Sequence, residues 1–473
     1  PGTWGNPLNP HSGGSDCFLA ELNGSTGARV WSTFLGGAGD DEGLAVAADT
    51  TGGVFVTGSS SASWGTPVAS YSNSTDAFLA KLSSSAGQLA WNTFLGGTLY
   101  DTGYALAIDR YGYVLLTGAS YGTWGTPIFT HNGRYDVFVA KVSGTTGERF
   151  WNLFLGSSES EYGRGIETDA VGNVYVCGYG SADWGASVND YSGGVDAFAF
   201  KLNILCGIEW GTFLGGTSDD YAYGIALDGQ SRVHITGHSS ASWGTPANPY
   251  AGNSDAFVAK LSASTGTRLW NTFLGGNGVD YGYGIAVDDS PNLHVLGQSR
   301  ATWGNPVRAY TGGMDAFVAK VSDCSTRNLR KELLGSWAKQ GVYYRHYQTG
   351  AWFYLATPAS QVTAGDLDGD CIDDLVGLWS GEIWVRYSST LGWEKIAANA
   401  SWVATGDING DGKSAVIGII GSKIWIRDPN SHAWLPGDEG ATQVAYADFD
   451  GDGKDDLLGV WPTGLFAKYS STG

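Results

Sequence analysis

The chain has 473 residues, of which 73 are glycine and 13% are aromatic, whereas only 15% are charged. This composition excludes long solvated helices and is typical of short strands joined by tight turns. The net charge of −20 excludes nucleic acid as a partner, because a phosphate backbone needs clustered Lys and Arg, and no apolar run approaches the roughly 18 residues that a membrane-spanning helix needs.

A unit of 60 residues recurs through the first two-thirds of the chain. Each copy has a Trp-Gly pair followed by Asp-x-Phe, and five copies continue into Trp-x-x-Phe-Leu-Gly. The tryptophans of the Trp-Gly pairs are Trp4, Trp64, Trp124, Trp184, Trp243 and Trp303. Self-similarity at a fixed period indicates a solenoid, a propeller or an array.

One repeat, taken in chain order, predicts four strands at residues 104–109, 113–118, 136–142 and 149–155. Gly, Ser and Asn separate them, which favours an antiparallel meander. One small sheet cannot bury both of its faces, so neighbouring copies have to stack. The predicted fold class is all-β, with β-propeller blades of four-stranded antiparallel sheets.

This division of each repeat into four strands predicts five complete blades, with residues 331–335 as the last strand of the fifth. A half-blade, residues 16–22 and 30–35, precedes them. The motifs Asp-Ala-Phe-Val-Ala-Lys, Trp-Asn-Thr-Phe-Leu-Gly-Gly and Gly-Ile-Ala-Val-Asp resemble the bacterial SBBP β-propeller repeat over residues 1–336. The resemblance implies an extracytoplasmic propeller of bacterial surface or secreted proteins, and it implies no enzymatic activity.

Residues 337–473 change to a period of roughly 40 and carry three Asp-rich loops. Carboxylates at alternate positions of a tight turn repel one another unless a cation lies among them, and hard oxygen ligands favour calcium. The candidate Ca²⁺ ligands, including backbone carbonyls at the seventh position, are Asp366, Asp368, Asp370, Ile372 and Asp374, then Asp407, Asn409, Asp411 and Lys413, and finally Asp448, Asp450, Asp452, Lys454 and Asp456.

These loops resemble the FG-GAP/VCBS repeats, in which Asp-x-Asp-Gly-Asp-Gly-x-x-Asp-Leu binds calcium between strands. The first and third copies have the complete pattern, whereas Ala415 replaces the ninth-position Asp of the second. The alternative is that the loops are only tight turns capped by side chains. We favour a cation in the first and third loops and leave the second open.

Two further sets of residues recur once in each blade. Acidic residues before the first strand could bind a cation in a central channel, but capping of backbone N–H groups is the favoured interpretation; they are Asp41, Asp101, Glu161, Asp220 and Asp280. A second acidic set at the end of that strand is interpreted in the same way. The Trp-Gly indoles could form a circle of exposed sugar-binding faces, but wedging between blades is favoured.

The five cysteines lack a C-x-x-C spacing, which makes a zinc site improbable and leaves disulfide pairing open. No catalytic set is recognisable. The sequence therefore predicts a non-enzymatic, secreted or cell-surface structural or adhesion protein, whose incomplete blades at both ends of the chain could join subunits head-to-tail into a filament. The expected partners are further copies or other surface proteins. The alternative is a carbohydrate-binding, lectin-like propeller.

Overall fold

The computed structural model describes residues 3, 5–83, 87–185, 188–228, 232–288, 292–304, 306–322, 333–337, 341–345, 352–367, 374–387, 392–408, 413–429, 431–447 and 455–468. The chain forms two compact units, Pro1–Val321 and Ser322–Gly473. All regular structure in the described residues is β. Within these residues, no helix has the length and apolar character needed to cross a membrane.

The described part of the first unit forms six antiparallel sheets whose strands follow chain order. The first sheet has two strands, β1 (Cys17–Leu22) and β2 (Arg29–Leu35). Four sheets have four strands: β3 (Asp41–Ala48), β4 (Gly53–Ser60), β5 (Asp76–Ser83), β6 (Leu89–Leu95); β7 (Asp101–Ile108), β8 (Tyr113–Ser120), β9 (Asp136–Ser143), β10 (Arg149–Leu155); β11 (Glu161–Thr168), β12 (Val174–Gly180), β13 (Asp196–Leu202), β14 (Ile208–Leu214); β15 (Asp220–Leu227), β16 (Val233–Ser239), β17 (Asp255–Leu261), β18 (Arg268–Leu274). The sixth has three, β19 (Asp280–Val287), β20 (Asn292–Ser299) and β21 (Asp315–Ser322).

The sheets stack as blades, as the sequence predicted. The first strands of successive sheets contact one another in order, which makes them the innermost strands: β3, β7, β11, β15 and β19. In the four complete blades the third strands are covered on both faces, and every residue of β13 and β17 is buried. This burial explains why the third strands are nearly continuous apolar runs, since each buried Phe or Leu contributes about 1.5–3 kcal/mol.

Every first strand has a bulge at its fourth residue. In β11, for example, Gly163 pairs with Gly178 and Gly165 pairs with Cys177, which leaves Arg164 unpaired. The same irregularity occurs in β3, β7, β15 and β19. A bulge bends the strand and changes the direction of the extra side chain, so each blade presents one such side chain from its innermost strand.

The second unit repeats a smaller sheet. Its described strands form two three-stranded and two four-stranded antiparallel sheets. They are β22 (Leu333–Trp337), β23 (Gly341–Arg345), β24 (Trp352–Ala356); β25 (Gln361–Gly365), β26 (Asp374–Trp379), β27 (Glu382–Arg386), β28 (Trp393–Ala397); β29 (Ala400–Gly406), β30 (Ala415–Ile420), β31 (Lys423–Arg427), β32 (Trp434–Glu439); β33 (Gln443–Ala447), β34 (Asp456–Trp461), β35 (Gly464–Lys468). The Asp-rich loops follow β25, β29 and β33.

The structure corrects the assignment of one strand. The predicted last strand of the fifth blade, β22, pairs instead with β23, from Leu333 opposite Arg345 to Trp337 opposite Gly341. Its sequence Leu-Leu-Gly-Ser-Trp matches Leu-Val-Gly-Leu-Trp of β26, and the Leu-Gly shared with the longer repeat caused the error. The pairing of β22 with β23, which begins after only three intervening residues, also costs the chain little loop-closure entropy. The fifth blade therefore has three strands among the described residues.

Candidate functional site

The predicted calcium ligands are only partly described. The structure describes Asp366, Asp374, Asp407, Lys413 and Asp456. The other predicted ligands lie outside the described residues: Asp368, Asp370, Ile372, Asn409, Asp411, Asp448, Asp450, Asp452 and Lys454. Within the described residues there is no group of three or more His, Cys, Asp or Glu side chains that could hold a metal ion.

The two described ends of the first loop lie side by side. Asp374 opens β26 opposite Gly365 of β25, and both Asp366 and Asp374 are buried. The N–H of Leu367 donates to the Asp374 carboxylate at 2.8 Å. The ninth-position carboxylate thus holds the start of the loop next to its end, and calcium binding by the loop stays a prediction.

In the first unit, the acidic residue that opens each first strand caps a turn. The Oδ2 of Asp41 accepts the N–H of Gly37 at 2.8 Å, and its other oxygen accepts the hydroxyl of Ser60. The corresponding residues accept equivalent N–H groups at 2.8–3.0 Å: Asp101 from Gly97, Glu161 from Ser157, Asp220 from Gly216 and Asp280 from Gly276. These hydrogen bonds agree with the capping interpretation.

Four of these capping carboxylates lie near a second carboxylate that stands at, or just before, the start of a third strand; they are Asp41, Asp101, Glu161 and Asp280. A Cβ placed on Gly96 would lie 2.7 Å from the Asp101 carboxylate and 2.9 Å from that of Asp76. Gly36, Gly156 and Gly275 separate equivalent pairs in the same way. Burial raises the pKa of Asp76 to about 6 and that of Asp101 to about 7. The junction between the blades of these two residues therefore holds two carboxyl groups whose pKa values lie well above the ordinary range.

The second acidic set also caps turns. Asp49 accepts the N–H groups of Thr51 and Gly53 at 2.8 and 2.7 Å, and Asp109 accepts those of Tyr111 and Tyr113 at 2.9 Å. Burial acts to raise the pKa of Asp49, but these donors outweigh it and the pKa is lowered. This set stabilises turns.

Three of the Trp-Gly indoles are buried, and those of Trp184 and Trp303 are half-buried, whereas Trp4 lies outside the described residues. Trp64, Trp124 and Trp243 are at most 7% exposed. The Trp124 ring packs edge-on against Phe138 and Phe154 at 5.4 and 5.5 Å, in a core cluster that also contains Leu95 of the preceding sheet. The shared cluster agrees with the interpretation that the indole wedges between blades, although its ring contacts are with Phe residues of its own blade. These buried indoles offer no sugar-binding face.

A cluster of partly exposed aromatic residues, mostly tyrosines, lies on and beside the innermost strands of the first unit. We call two rows of side chains the tyrosine surface. The bulge row contains the unpaired residue of four successive first strands, and the outer row contains neighbours from the first and second strands and the loop before β9. The bulge row is Tyr104, Arg164, Tyr223 and Tyr283; the outer row is Tyr121, Tyr135, Tyr162, Tyr179, Tyr221, His238 and Tyr281.

The outer row is continuous across blades. Tyr162 stacks on Tyr179 at 5.1 Å, and Tyr179 meets Tyr221 of the next blade at 4.8 Å. His238 stacks on Tyr221 at 4.7 Å and reaches Tyr281 of the following blade at 4.2 Å. Because each ring supports the next, the row forms a preorganised aromatic platform.

The bulge row runs beside the outer row. The Arg164 guanidinium lies over the rings of Tyr104 and Tyr223, at 4.1 and 5.3 Å from their centroids. Tyr223 then contacts Tyr283 at 5.5 Å, and the Tyr283 side chain is 44% exposed. The innermost strands approach closely here, because a Cβ on Gly224 would lie 3.2 Å from the Cα of Gly284.

Burial favours the neutral forms of the Tyr179, Tyr223 and Tyr283 phenols and of the His238 imidazole, as their pKa shifts show. Burial raises the pKa of Tyr179 to about 12 and also raises the pKa of Tyr223 and Tyr283. Burial lowers the pKa of His238 to about 4. The surface therefore presents aromatic rings, hydroxyl groups and one fixed positive charge, that of Arg164.

Sequence reasoning missed the tyrosine surface, although a signal was present. At the second and fourth positions of the first strand, the early copies have Glu42, Leu44 and Thr102, whereas the later copies have Tyr221, Tyr223, Tyr281 and Tyr283. Neighbouring repeats therefore differ from one another at these two positions. That difference is the pattern that would have indicated the tyrosine surface.

The comparisons with known proteins concern the repeat itself. Residues 209–242 match the family described as SBBP, beta-propeller repeat. The match spans the length of about half a repeat, within a unit built from stacked four-stranded β-propeller blades. No curated protein gives a significant match.

Several solved structures are similar to this chain at low identity. A Bacteroides caccae protein of unknown function is 11% identical, with 60% of this chain and 82% of that chain covered and a TM-score of 0.33. The extracellular domain of a putative one component system from B. thetaiotaomicron is 9% identical, with 96% and 68% covered and a TM-score of 0.26. The Myceliophteria thermophila Cps50 (Swd1) beta-propeller domain is 9% identical, with 90% and 95% covered and a TM-score of 0.31.

Proposed function

We propose that this β-propeller repeat protein is a non-enzymatic adhesion protein of the cell surface or the secreted fraction, and that it binds carbohydrate on the tyrosine surface. The observation that supports the proposal is the continuous row of supported rings from Tyr162 to Tyr281. The secreted location is what the resemblance to the SBBP repeat implies. The proposal includes no catalytic step.

The chemistry of the tyrosine surface suits sugars. Aromatic faces pack against the C–H groups of a pyranose ring, and phenol hydroxyls exchange hydrogen bonds with sugar hydroxyls. Because the rings already stack on one another, binding orders few side chains and loses little conformational entropy. The lectin-like alternative predicted from the sequence thus keeps its ligand class, but the proposed sugar-binding residues are these tyrosines and not the buried tryptophans.

The test is binding to a glycan array, followed by titration calorimetry of the best ligand with variants. We expect Tyr223→Ala or Tyr283→Ala to weaken binding about tenfold or more, as for an aromatic contact in an interface. The matched control is Tyr111→Ala, since this tyrosine is 61% exposed and lies outside the tyrosine surface. An array without a single ligand, or binding that both surface variants leave unchanged, contradicts the proposal.

A second proposal is self-association, which one observation favours. Third-strand residues that are fully buried in other blades are exposed in the first and sixth sheets of the first unit. Phe18 of β1 is 62% exposed whereas its counterpart Phe78 is 0% exposed, and Val318 of β21 is 71% exposed whereas Val258 is 0% exposed. Such faces favour a second copy of the chain as the cover, in a head-to-tail contact.

Light scattering of the purified chain tests this second proposal. We expect oligomers or filaments whose size falls in the Phe18→Glu variant, because a charge cannot be buried in a dry interface without a partner. Phe150→Glu is the control, because Phe150 is similarly exposed, at 58%, in a complete blade. A monodisperse monomer at high protein concentration in calcium would refute self-association.

The third element of the proposal is calcium. We propose that the first and third Asp-rich loops bind Ca²⁺ and stabilise the turns that join β25 to β26 and β33 to β34. Asp366 and Asp374 would hold the ion in the first loop with the intervening carboxylates. Calcium would supply positive charge that allows the carboxylates to lie close together, and no catalytic role is assigned to it.

A further inference from the structure

Arg164 is the one residue of the tyrosine surface that carries a fixed charge. Its guanidinium lies over two tyrosine rings, 4.1 Å from the centroid of Tyr104 and 5.3 Å from that of Tyr223. The two contacts hold the planar group by its faces and leave its N–H groups at the edge. The side chain is only half-buried, so those N–H groups are available to a ligand.

Within the described residues, no carboxylate forms an ion pair with Arg164 and no hydrogen bond from it is seen. The other partly buried cations of the first unit do have oxygen partners. Lys141 binds Asp109 at 2.8 Å, Lys201 binds Glu209 at 2.9 Å and Arg232 binds Asp228 at 2.7 Å. Arg149 and Arg268, which also lie over aromatic rings, donate to Asn152 and Asn271.

The unpaired state of Arg164 is unusual in a chain with 46 acidic and 26 basic residues. Because the side chain is half-buried and its N–H groups have no protein acceptor among the described residues, a ligand can supply acceptors for them without first breaking an ion pair. Asp219, which contributes to the raised pKa of Tyr221, already accepts the N–H of Val195 at 3.0 Å. Among the described residues, Asp219 forms no ion pair with Arg164.

We propose that the tyrosine surface selects saccharides with a carboxylate, such as a terminal uronic acid, and that Arg164 binds that carboxylate while the sugar ring lies against the tyrosines. This inference rests on the proposed carbohydrate-binding function and names its ligand class. A planar carboxylate matches the two-pronged edge of a guanidinium. A single carboxylate is favoured over a densely charged polyanion, because the chain itself carries a net charge of −20.

The experiment compares acidic disaccharides with their neutral counterparts on the whole chain. The probes are disaccharides that end in glucuronic or galacturonic acid, each beside its methyl ester, which keeps the sugar ring and removes the charge. Titration calorimetry is expected to give about tenfold to a hundredfold tighter binding of the acid, as for a charge-assisted hydrogen-bonded pair. Added salt should weaken the binding of the acid and leave the binding of the ester unchanged.

Variants assign the effect to the guanidinium. Arg164→Gln is expected to reduce the affinity for the acid to that for the ester, and Arg164→Lys should be intermediate because it keeps the charge but loses the planar fork. The control is Arg110→Gln, since Arg110 also lies over a tyrosine, Tyr111, at 4.7 Å from the ring centroid but outside the surface. Circular dichroism and retained ester binding show that each variant is folded.

The outcomes separate this inference from the function on which it rests. If acid and ester bind equally well, or if Arg164→Gln does not change the preference, the selectivity is refuted and the carbohydrate function stands. If neither the acids nor the esters bind and the glycan array is also blank, both are refuted. A preference for the acid that disappears only in the Arg164 variants supports both.

Discussion

The two units place the same residue type, aspartate, in opposite surroundings. In the first unit, Asp76 and Asp101 lie 25 residues apart in the sequence and meet at a blade junction, fully buried, with N–H and hydroxyl donors around them. In the second unit, the aspartates alternate within loops of a few residues. The comparison shows two outcomes for repeated acidic residues. Where distant aspartates meet through the fold, they become buried structural caps. Where aspartates are close together along the chain, they form a candidate cation site.

The largest expected effect would break the first unit and spare the second. Trp124→Ala removes an indole that is 6% exposed and packed between blades, so we expect the unfolding free energy of the first unit to fall by about 3–5 kcal/mol. Tyr111→Ala, at an exposed position, should cost about 0.5 kcal/mol or less. Calorimetry measures both, and hydrogen exchange assigns the loss to strands of the first unit. Equal loss in both units would show that they do not fold independently.

Calcium removal should act in the opposite way, on the second unit alone. Saturating a loop at about 100 times its Kd stabilises the folded state by about 3 kcal/mol, so a chelator should lower the unfolding temperature of the second unit and leave that of the first unchanged. Asp452→Asn should abolish much of this effect. Asp411→Asn is the matched control, because its loop already has Ala415 in place of the ninth-position Asp. A thermal transition of the second unit that ignores both calcium and chelator would contradict calcium binding.

A pH dependence of the first unit, measured in chelator, is also expected. Burial raises the pKa of Asp101 to about 7 from an ordinary value of 3.8. A raised pKa means that the folded state holds the proton more tightly than the unfolded chain does. This contribution to the free energy of unfolding is therefore complete below about pH 4 and is lost as the pH rises through 7. Each tenfold difference in proton affinity between the folded and unfolded states corresponds to about 1.4 kcal/mol. The unfolding temperature should thus be higher at pH 5 than at pH 8.

Variants sharpen this pH prediction. Asp76→Asn has no proton to lose, and its amide can donate towards Asp101, so the difference between pH 5 and pH 8 should shrink. Asp49→Asn is the control, because the pKa of Asp49 is lowered, so its stabilisation is present at both pH values and is lost only in stronger acid. An unfolding temperature of the first unit that rises from pH 5 to pH 8 would contradict the interpretation of the junctions.

Much of the fold followed from periodicity. The predicted strand at residues 149–155 coincides with β10, and the other three predicted strands of that blade differ from β7, β8 and β9 by three residues or fewer at either end. The error at β22 arose where two repeats share Leu-Gly, because a short apolar strand does not specify its partner. The partner of β22 is decided by which strand lies beside it in the folded protein, and the sequence pattern does not contain that distance.

The candidate site was less predictable for a related reason. Tyr162 and Tyr221 are 59 residues apart in the sequence, yet both contact Tyr179. A residue that is fixed in every repeat, such as the Trp of Trp-Gly, serves the contact that every blade makes and is therefore buried. A residue that varies between repeats is free to form a surface on one side of the stack.

By itself the sequence determined that this protein is built from small antiparallel sheets, because the spacing of glycines and aromatics is a local property that each repeat carries within itself. It also determined where aspartates crowd along the chain, and hence the calcium prediction. Only the tertiary structure decided that Arg164 lies between two tyrosines of other blades and that acidic residues far apart in sequence meet in buried pairs. Both arrangements depend on how closely neighbouring sheets approach, and that distance is set by packing between blades and by no single repeat.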